Sequence, residues 1–218
     1  MTATAYTIRR IVNPTDAQIE ELTDVLTEAF SADDQLKVGF GDDAPRLQRP
    51  LNKAPVVAGS LGGHLYVAES EGKVVGVCIW FEPGREIYDS ADQREAALEP
   101  LQKLYKPEAA RWLGELAPKL KKFRVDAWGE TTSKDQWYLQ RIGVAPKYQG
   151  QGIGSALIRE IMGKTDGMKI ALTTIMKANA EYYAFLGFKV MGHGSFDAPY
   201  GKFEITAMLW GPEGQNGS

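Results

Sequence analysis

The sequence predicts an α/β domain whose mixed central β-sheet is flanked by helices. Three observations carry that prediction. Strand-like and helix-like stretches succeed one another along most of the chain. An apolar, β-rich run, Trp137 to Val144, passes through Gly150, Gly152 and Gly154 into a helical stretch, where Ile153, Leu157 and Ile161 recur at helical spacing. Two alternating runs, His64 to Ser70 and Lys73 to Phe81, flank Glu71-Gly72, a turn pair that joins β-hairpins. At 218 residues and 44% hydrophobic content, the chain is long enough to bury one sizeable core.

In chain order, Ala5 to Val12 is β-prone and is the first expected strand. Asn13-Pro14-Thr15-Asp16 reads as a turn and helix N-cap. The helix that follows, to about Phe30, places Ile19, Leu22, Val25, Leu26 and Phe30 on one face. Ser31 is a candidate cap for a second short helix, while Pro45, Pro50, Pro55, Gly59 and Gly62-Gly63 are expected to break anything longer. Residues 83–135 read as a helical insertion before the central strand. Ser90 is placed to cap one helix there, and Pro107 to open another carrying Trp112, Leu113, Leu116, Leu120 and Phe123, with Pro118 as a kink. Its end is basic (Lys119, Lys121, Lys122, Arg124), which suits a solvated helix C-terminus or, on a sharper reading, contact with an acidic ligand. Thr131 to Asp135 is an expected loop. Beyond the glycine loop come a strand from Lys169 to Ile175, a helix from about Asn179 to Leu186, strands at 188–192 and Glu204 to Trp210, and a mobile tail from Gly211. Residues 1–210 are expected to form a single domain.

Composition narrows the function classes. A net charge of -3 gives no support for nucleic acid or an anionic membrane as a partner. The single Cys78 excludes an internal disulfide framework and reads as a core thiol; with only His64 and His193 it leaves no zinc cluster, so no metal is expected. The start MTATAYTIRR lacks a signal-peptide core, and no apolar run approaches the roughly 18 residues of a membrane span. A cytoplasmic protein is the expectation.

A strand, a glycine loop and a helix start, in that order, make an anion cradle. The first helical turn carries N–H groups with no helical partner, and the helix dipole adds partial positive charge. Spacing separates the motifs that use such a cradle. A P-loop fails, because Gly163-Lys164-Thr165 follows the helix and Ile158 stands where the first glycine belongs. A G-x-G-x-x-G fingerprint fails at Ser155 or Leu157, depending on the starting glycine. What fits is Q-x-x-G-x-G, from Gln149 through Gly152 to Gly154, behind the strand end Ile142-Gly143-Val144.

That arrangement resembles the coenzyme A pyrophosphate loop of the GCN5-related N-acetyltransferase (GNAT) superfamily. An N-x-x-x-Y-x-x-x-G-F pattern, Asn179 to Phe188, reinforces the resemblance, and with Trp80 and Pro83-Gly84 it is similar to the puromycin N-acetyltransferase-like branch. The resemblance implies a sheet splayed at the cofactor site and acetyl-CoA as co-substrate. Ile142, Gly143 and Val144 would meet the pantetheine arm. Gln149, Gly150, Gln151, Gly152, Ile153, Gly154 and Ser155 would wrap the pyrophosphate. Asn179 would approach the pantetheine, although it could equally cap its own helix, and Tyr183 would touch the cofactor as general acid. A homodimer is a further expectation of the family.

The chemistry explains the residue types. An amine nitrogen attacks the thioester, an oxyanion develops, and a thiolate leaves. The backbone N–H of Val144 would stabilise the oxyanion if the strand is splayed. A thiol pKa of roughly 8.5 against a tyrosine near 10 makes Tyr183 a suitable donor to the departing sulfur. Tyr182 reads as packing. The base is less legible. Leu172 is followed by Thr173 and Thr174 where the suspected branch often carries a glutamate. Glu82, at the hairpin exit, is the first candidate, followed by Glu130 and Asp135; each also reads as a surface carboxylate. His193 reads as loop, and Gln140 could orient a water. The sequence thus points to acetylation of a small-molecule amine. Acetylation of a protein lysine or N-terminus, or a non-catalytic acyl-CoA sensor, are the alternatives.

Overall fold

The structure is a computed structural model that describes residues 5–31, 35–130 and 135–211. Its strands are β1 (Thr7–Ile11), β2 (His64–Ser70), β3 (Lys73–Phe81), β4 (Gln136–Val144), β5 (Lys169–Thr174), β6 (Lys189–Ala198) and β7 (Gly201–Trp210). They form one seven-stranded sheet in the order β1-β2-β3-β4-β5-β7-β6. Only β4 and β5 pair in parallel; the other neighbours are antiparallel, so the sheet is mixed, as the sequence predicts. The helices are α1 (Asp16–Ala29), α2 (Gln35–Phe40), α3 (Ala44–Gly62), α4 (Ala91–Gln93), α5 (Glu99–Gln102), α6 (Pro107–Trp128), α7 (Ile153–Met162) and α8 (Lys177–Phe185). A π turn, Arg94–Leu98, joins α4 to α5.

Local chemistry accounts for several boundaries. Thr15 and Gln18 close a capping box on α1: the Thr15 hydroxyl accepts from the Gln18 N–H at 3.3 Å, and the Gln18 side chain accepts from the Thr15 N–H at 2.9 Å. Glu71 and Gly72 both hold positive φ, 51° and 73°, as a tight two-residue hairpin turn requires. Ser90 accepts from the Gln93 N–H at 3.3 Å and starts α4.

β3 is the centre of the core, buried along its whole length after Lys73. Val77, Ile79 and Phe81 belong to the cluster built on Ile19, Leu22 and Leu26 of α1. Cys78 and Trp80 join the cluster of α7, with Leu157, Ile158 and Ile161. Alternation along one strand thus serves two layers. Each fully buried Ile or Leu is worth about 1.5–3 kcal/mol, so the α7 stripe holds that helix start firmly against the sheet.

Four sequence expectations need correction. Pro50 and Pro55 do not break the 44–62 segment, which is one 19-residue helix. A proline inside a helix costs about 3 kcal/mol, but Leu47, Ala54, Val56 and Ala58 of α3 are all buried and outweigh it. Gly59 is not a breaker either: a Cβ there would lie 2.7 Å from Ile79 Cγ2 and 2.9 Å from Leu65 Cδ2, so the missing side chain lets α3 close on the sheet. The last hairpin is longer than 188–192 and 204–210 suggest, because Gly194 is likewise a glycine of close approach, its Cβ position 3.1 Å from the Phe123 ring. His193 is consequently a strand residue, its Nδ1 3.1 Å from Thr206 Oγ1, and not part of a loop.

Helix α6 runs on through Pro118. The loop expected at 131–135 lies largely outside the described residues, as does the tail from 212 onward. Among the described residues no helix is long and apolar enough to cross a membrane.

Candidate active site

Parallel pairing of β4 with β5 runs from Gln136↔Lys169 to Leu139↔Leu172 and stops there, while β4 continues to Val144. Half of β4 is therefore paired on one side only, and the sheet is splayed. The peptide groups on the open side have a known direction. Ala145 N–H donates to Val75 O at 2.9 Å, and alternation along an antiparallel ladder turns the N–H of Val144 the other way, toward the opening. The Gln149 side chain donates to Val144 O at 2.9 Å, bracing the strand end against the loop.

A cavity of about 650 Å³ occupies the opening. Ile142, Gly143 and Val144 line one side; Gln149, Gly150, Gly152, Ile153, Gly154 and Ser155 line another; Asn179 and Tyr183 face them from α8. Every sequence-predicted cofactor residue is there except Gln151, whose amide donates to Lys147 O at 3.2 Å. Gly150 and Gly152 hold φ of 73° and 82°, a conformation costing other residues about 1–2 kcal/mol. The first bond of α7 is Ala156 N–H to Gly152 O, at 3.0 Å. The N–H groups of Ile153, Gly154 and Ser155 precede that ladder and form the anion cradle.

Tyr182 packs against the core, as the sequence predicts, and its hydroxyl also sits 3.0 Å from Ser155 Oγ and 3.1 Å from where a Gly154 Cβ would be. It props the first turn of α7 from across the cavity. The adjacent Tyr183 lines the same cavity. Asn179 does not occupy the cap of α8. Met176 does, and Asn179 is the third residue of the helix and lines the cavity.

Tyr183 is only 7% exposed and packs its ring against Phe188 at 5.8 Å and Tyr182 at 5.3 Å. Burial, with the neighbouring Cys78, Tyr182 and Tyr138, holds its phenol well above the usual tyrosine range. It is a neutral hydrogen-bond donor at any physiological pH. Cys78 is fully buried, its thiol also pushed up by burial, in keeping with a core residue.

A second cavity, about 390 Å³, opens from the first. The two share Phe30, Ile142, Met176, Asn179 and Tyr183, so Tyr183 stands at their junction. The second is walled by Phe40 of α2, Trp112 and Leu116 of α6, Leu139 of β4, Leu172 of β5 and Phe203 of β7. Its aromatic wall escaped sequence reasoning because α2, α6 and β7 are more than sixty residues apart along the chain.

The structure does not bring Glu82 into either cavity. Its carboxylate lies 3.1 Å from His64 Nε2, and it follows Phe81, which pairs with Tyr138 at the far end of β4 from Val144. Burial and nearby Arg10 lower the pKa of His64. Glu130 and Asp135 are exposed and line neither cavity. Of the residues weighed for handling the amine's proton, Gln140 alone lines a cavity, the second one. Among the described lining residues of the two cavities there is no carboxylate and no imidazole. Among the described residues no cluster of three or more His, Cys, Asp or Glu side chains could hold a metal ion.

Residues 123–190 match the family model described as acetyltransferase (GNAT) domain. That segment contains β4, the cradle, α7, β5 and α8. Solved structures share the fold across nearly the whole chain. One, a histone acetyltransferase HPA2 and related acetyltransferase from Corynebacterium glutamicum, is 24% identical over 94% of each chain, with a TM-score of 0.59. The polyamine N-acetyltransferase of Drosophila melanogaster is 13% identical, with a TM-score of 0.61 over 95% of this chain and 100% of that one. The ribosomal-protein-S18-alanine N-acetyltransferase of Escherichia coli is also 13% identical, with a TM-score of 0.52 over 98% and 99%. At these identities the likeness is one of fold. No curated protein matches the sequence.

Proposed function

We propose that this chain, whose residues 123–190 match a model of the acetyltransferase (GNAT) domain, moves the acetyl group of acetyl-CoA to the amine of a small molecule, with Tyr183 as general acid. The observation that supports this reading is the meeting of two cavities at Tyr183: an anion cradle with a splayed strand on one side, a chamber walled largely by aromatic and aliphatic side chains on the other.

When bound, acetyl-CoA supplies an activated carbonyl that an amine attacks directly, so no covalent enzyme intermediate is needed. The residues of this chain do the rest. The cradle N–H groups of Ile153 to Ser155 hold the pyrophosphate. The outward N–H of Ile142 and Val144 lie along the opened strand, where an extended arm can pair with them, and Val144 N–H is placed for the oxyanion. Tyr183 gives its phenolic proton to the departing sulfur. Its raised pKa does not defeat that step, because the same burial raises the thiol as well. An ammonium gives up two protons on becoming an amide: one leaves by water through the second cavity, where Gln140 can orient it, and the other restores the Tyr183 phenol, so that amide, thiol and one released proton are the products.

The test is a titration of the purified chain with acetyl-CoA by calorimetry, followed by thiol release with an amine panel. Saturable binding with amine-dependent thiol release is expected. Absence of binding to any CoA derivative would overturn the proposal, and binding without release over a broad panel would make the chain a sensor.

A further inference from the structure

Resting on that reading, we propose that the acceptor is a primary amine carried on an aromatic group, and that Trp112 of the inserted helix selects it. The second cavity opens onto Tyr183, so whatever fills it presents its nearest atom to the thioester. Its two sides differ in chemistry. Gln140, Thr173, Thr174 and Asn179 lie on the β4, β5 and α8 side, with Tyr183. Phe40, Trp112 and Phe203 form the side made by α2, α6 and β7. The Thr173 hydroxyl already shares a 2.9 Å hydrogen bond with the Tyr138 hydroxyl, and the other polar lining residues, Gln35 and Arg141, are likewise engaged with other groups of the protein. A ligand matching this division has its amine at one end and a flat apolar body at the other.

The aromatic side is a built surface. Trp112 stands edge-to-face with Phe40 at 5.8 Å and 83°, and with Phe203 at 6.4 Å and 86°. Its indole N–H donates to Asp197 O at 3.0 Å, so its one polar atom is satisfied by the backbone of the last hairpin. The six-membered ring lies over Gly39, where a Cβ would come within 2.6 Å of Cη2; no side chain can share that place with the indole as it stands. Three elements thus hold one ring in one orientation. Aromatic rings prefer offset or perpendicular partners at such spacings, and a guest ring extends the same arrangement. A volume of about 390 Å³ is within the range of small-molecule pockets. A linear polyamine would instead place its distal ammonium among these rings, where cation–π attraction is its compensation and no carboxylate among the described lining residues neutralises it.

The experiment measures thiol release by the full chain with phenethylamine, tryptamine, n-butylamine, spermidine, agmatine and a lysine peptide, beside calorimetry with acetyl-CoA. The aromatic amines should exceed n-butylamine in kcat/KM by about tenfold or more. Trp112→Ala should remove most of that margin through KM, leaving kcat and acetyl-CoA affinity nearly unchanged, and Trp112→Phe should restore part of it. If the alanine variant does not fold, the phenylalanine variant and the selectivity of the native chain still decide the matter. Equal or better turnover of spermidine, agmatine, n-butylamine or the peptide would overturn the inference, as would acetyl-CoA binding with no aromatic turnover, or variants with native selectivity. Failure to bind acetyl-CoA would instead strike the acetyltransferase reading, and this inference with it.

Discussion

Replacing Tyr183 by Phe removes one oxygen from a ring whose packing is otherwise untouched. The contacts with Phe188 and Tyr182 are ring contacts and survive, so stability should change by less than about 1 kcal/mol. Tyr183 lines both cavities, and in the proposed mechanism its hydroxyl protonates the leaving thiolate. A positioned acid contributes about 10²–10⁴-fold, equivalent to about 3–5 kcal/mol of barrier. Turnover should therefore fall by about that factor, with acetyl-CoA affinity little altered. The raised phenol pKa adds a second signature. An ordinary tyrosine would begin to ionise near pH 10, whereas the buried one stays protonated. The ratio of native to variant rate should thus remain constant from about pH 7 to about pH 10. Stopped assays across that range, with thermal melts as a folding control, measure both quantities. Native-like turnover in the variant would refute the reasoning, and so would a ratio that collapses as pH approaches the ordinary tyrosine value.

Three further outcomes are expected. Gly152→Ala forces a Cβ into a φ of 82° at about 1–2 kcal/mol; calorimetry should show weakened acetyl-CoA binding, and unchanged affinity with unchanged melting would contradict the role given to the cradle. Tyr182→Phe breaks the 3.0 Å contact with Ser155; at about 0.5–1.5 kcal/mol for a net hydrogen bond, acetyl-CoA affinity should drop by about three- to tenfold with kcat retained, and a kcat loss instead would make Tyr182 part of the chemistry. Finally, burial pushes the Tyr88 phenol up to about 12. Its contribution to stability is fully present below the unfolded value near 10 and is lost as pH rises toward the folded one, by at most about 2–3 kcal/mol. The melting temperature should hold steady to about pH 9.5 and fall above about pH 10, with a shallower fall in Tyr88→Phe; identical slopes in the two proteins would exclude Tyr88 as a source.

What was legible in the sequence was what is local. Glu71-Gly72 announces its hairpin because the turn geometry depends on those two residues alone. The run from Trp137 to Met162 gives strand, cradle and helix for the same reason: positive φ at Gly150 and Gly152 and an apolar stripe on α7 lie within one short stretch. Glycines and prolines whose purpose is tertiary were misjudged. Gly59 looks like punctuation until Ile79 is seen against it, and Pro50 and Pro55 sit in a helix kept by its buried face. The base candidates failed on placement: Glu82 is close to the central strand but at its wrong end. Trp112 was marked only as one apolar member of a helix. Its place over Gly39 depends on contacts across more than seventy residues, which no periodicity encodes.

The five residues common to both chambers carry one last consequence. Under the proposed function, the parts that line one compartment alone lie far apart in the polypeptide: α2, α6, β5 and β7 line only the acceptor side, and the loop from β4 into α7 lines only the donor side. Drift or deliberate redesign in the first set can retune which nucleophile is admitted while the reagent-holding half keeps its shape. Such a scaffold can change its client without relearning its trade, and libraries aimed at new acceptors belong on α2 and α6.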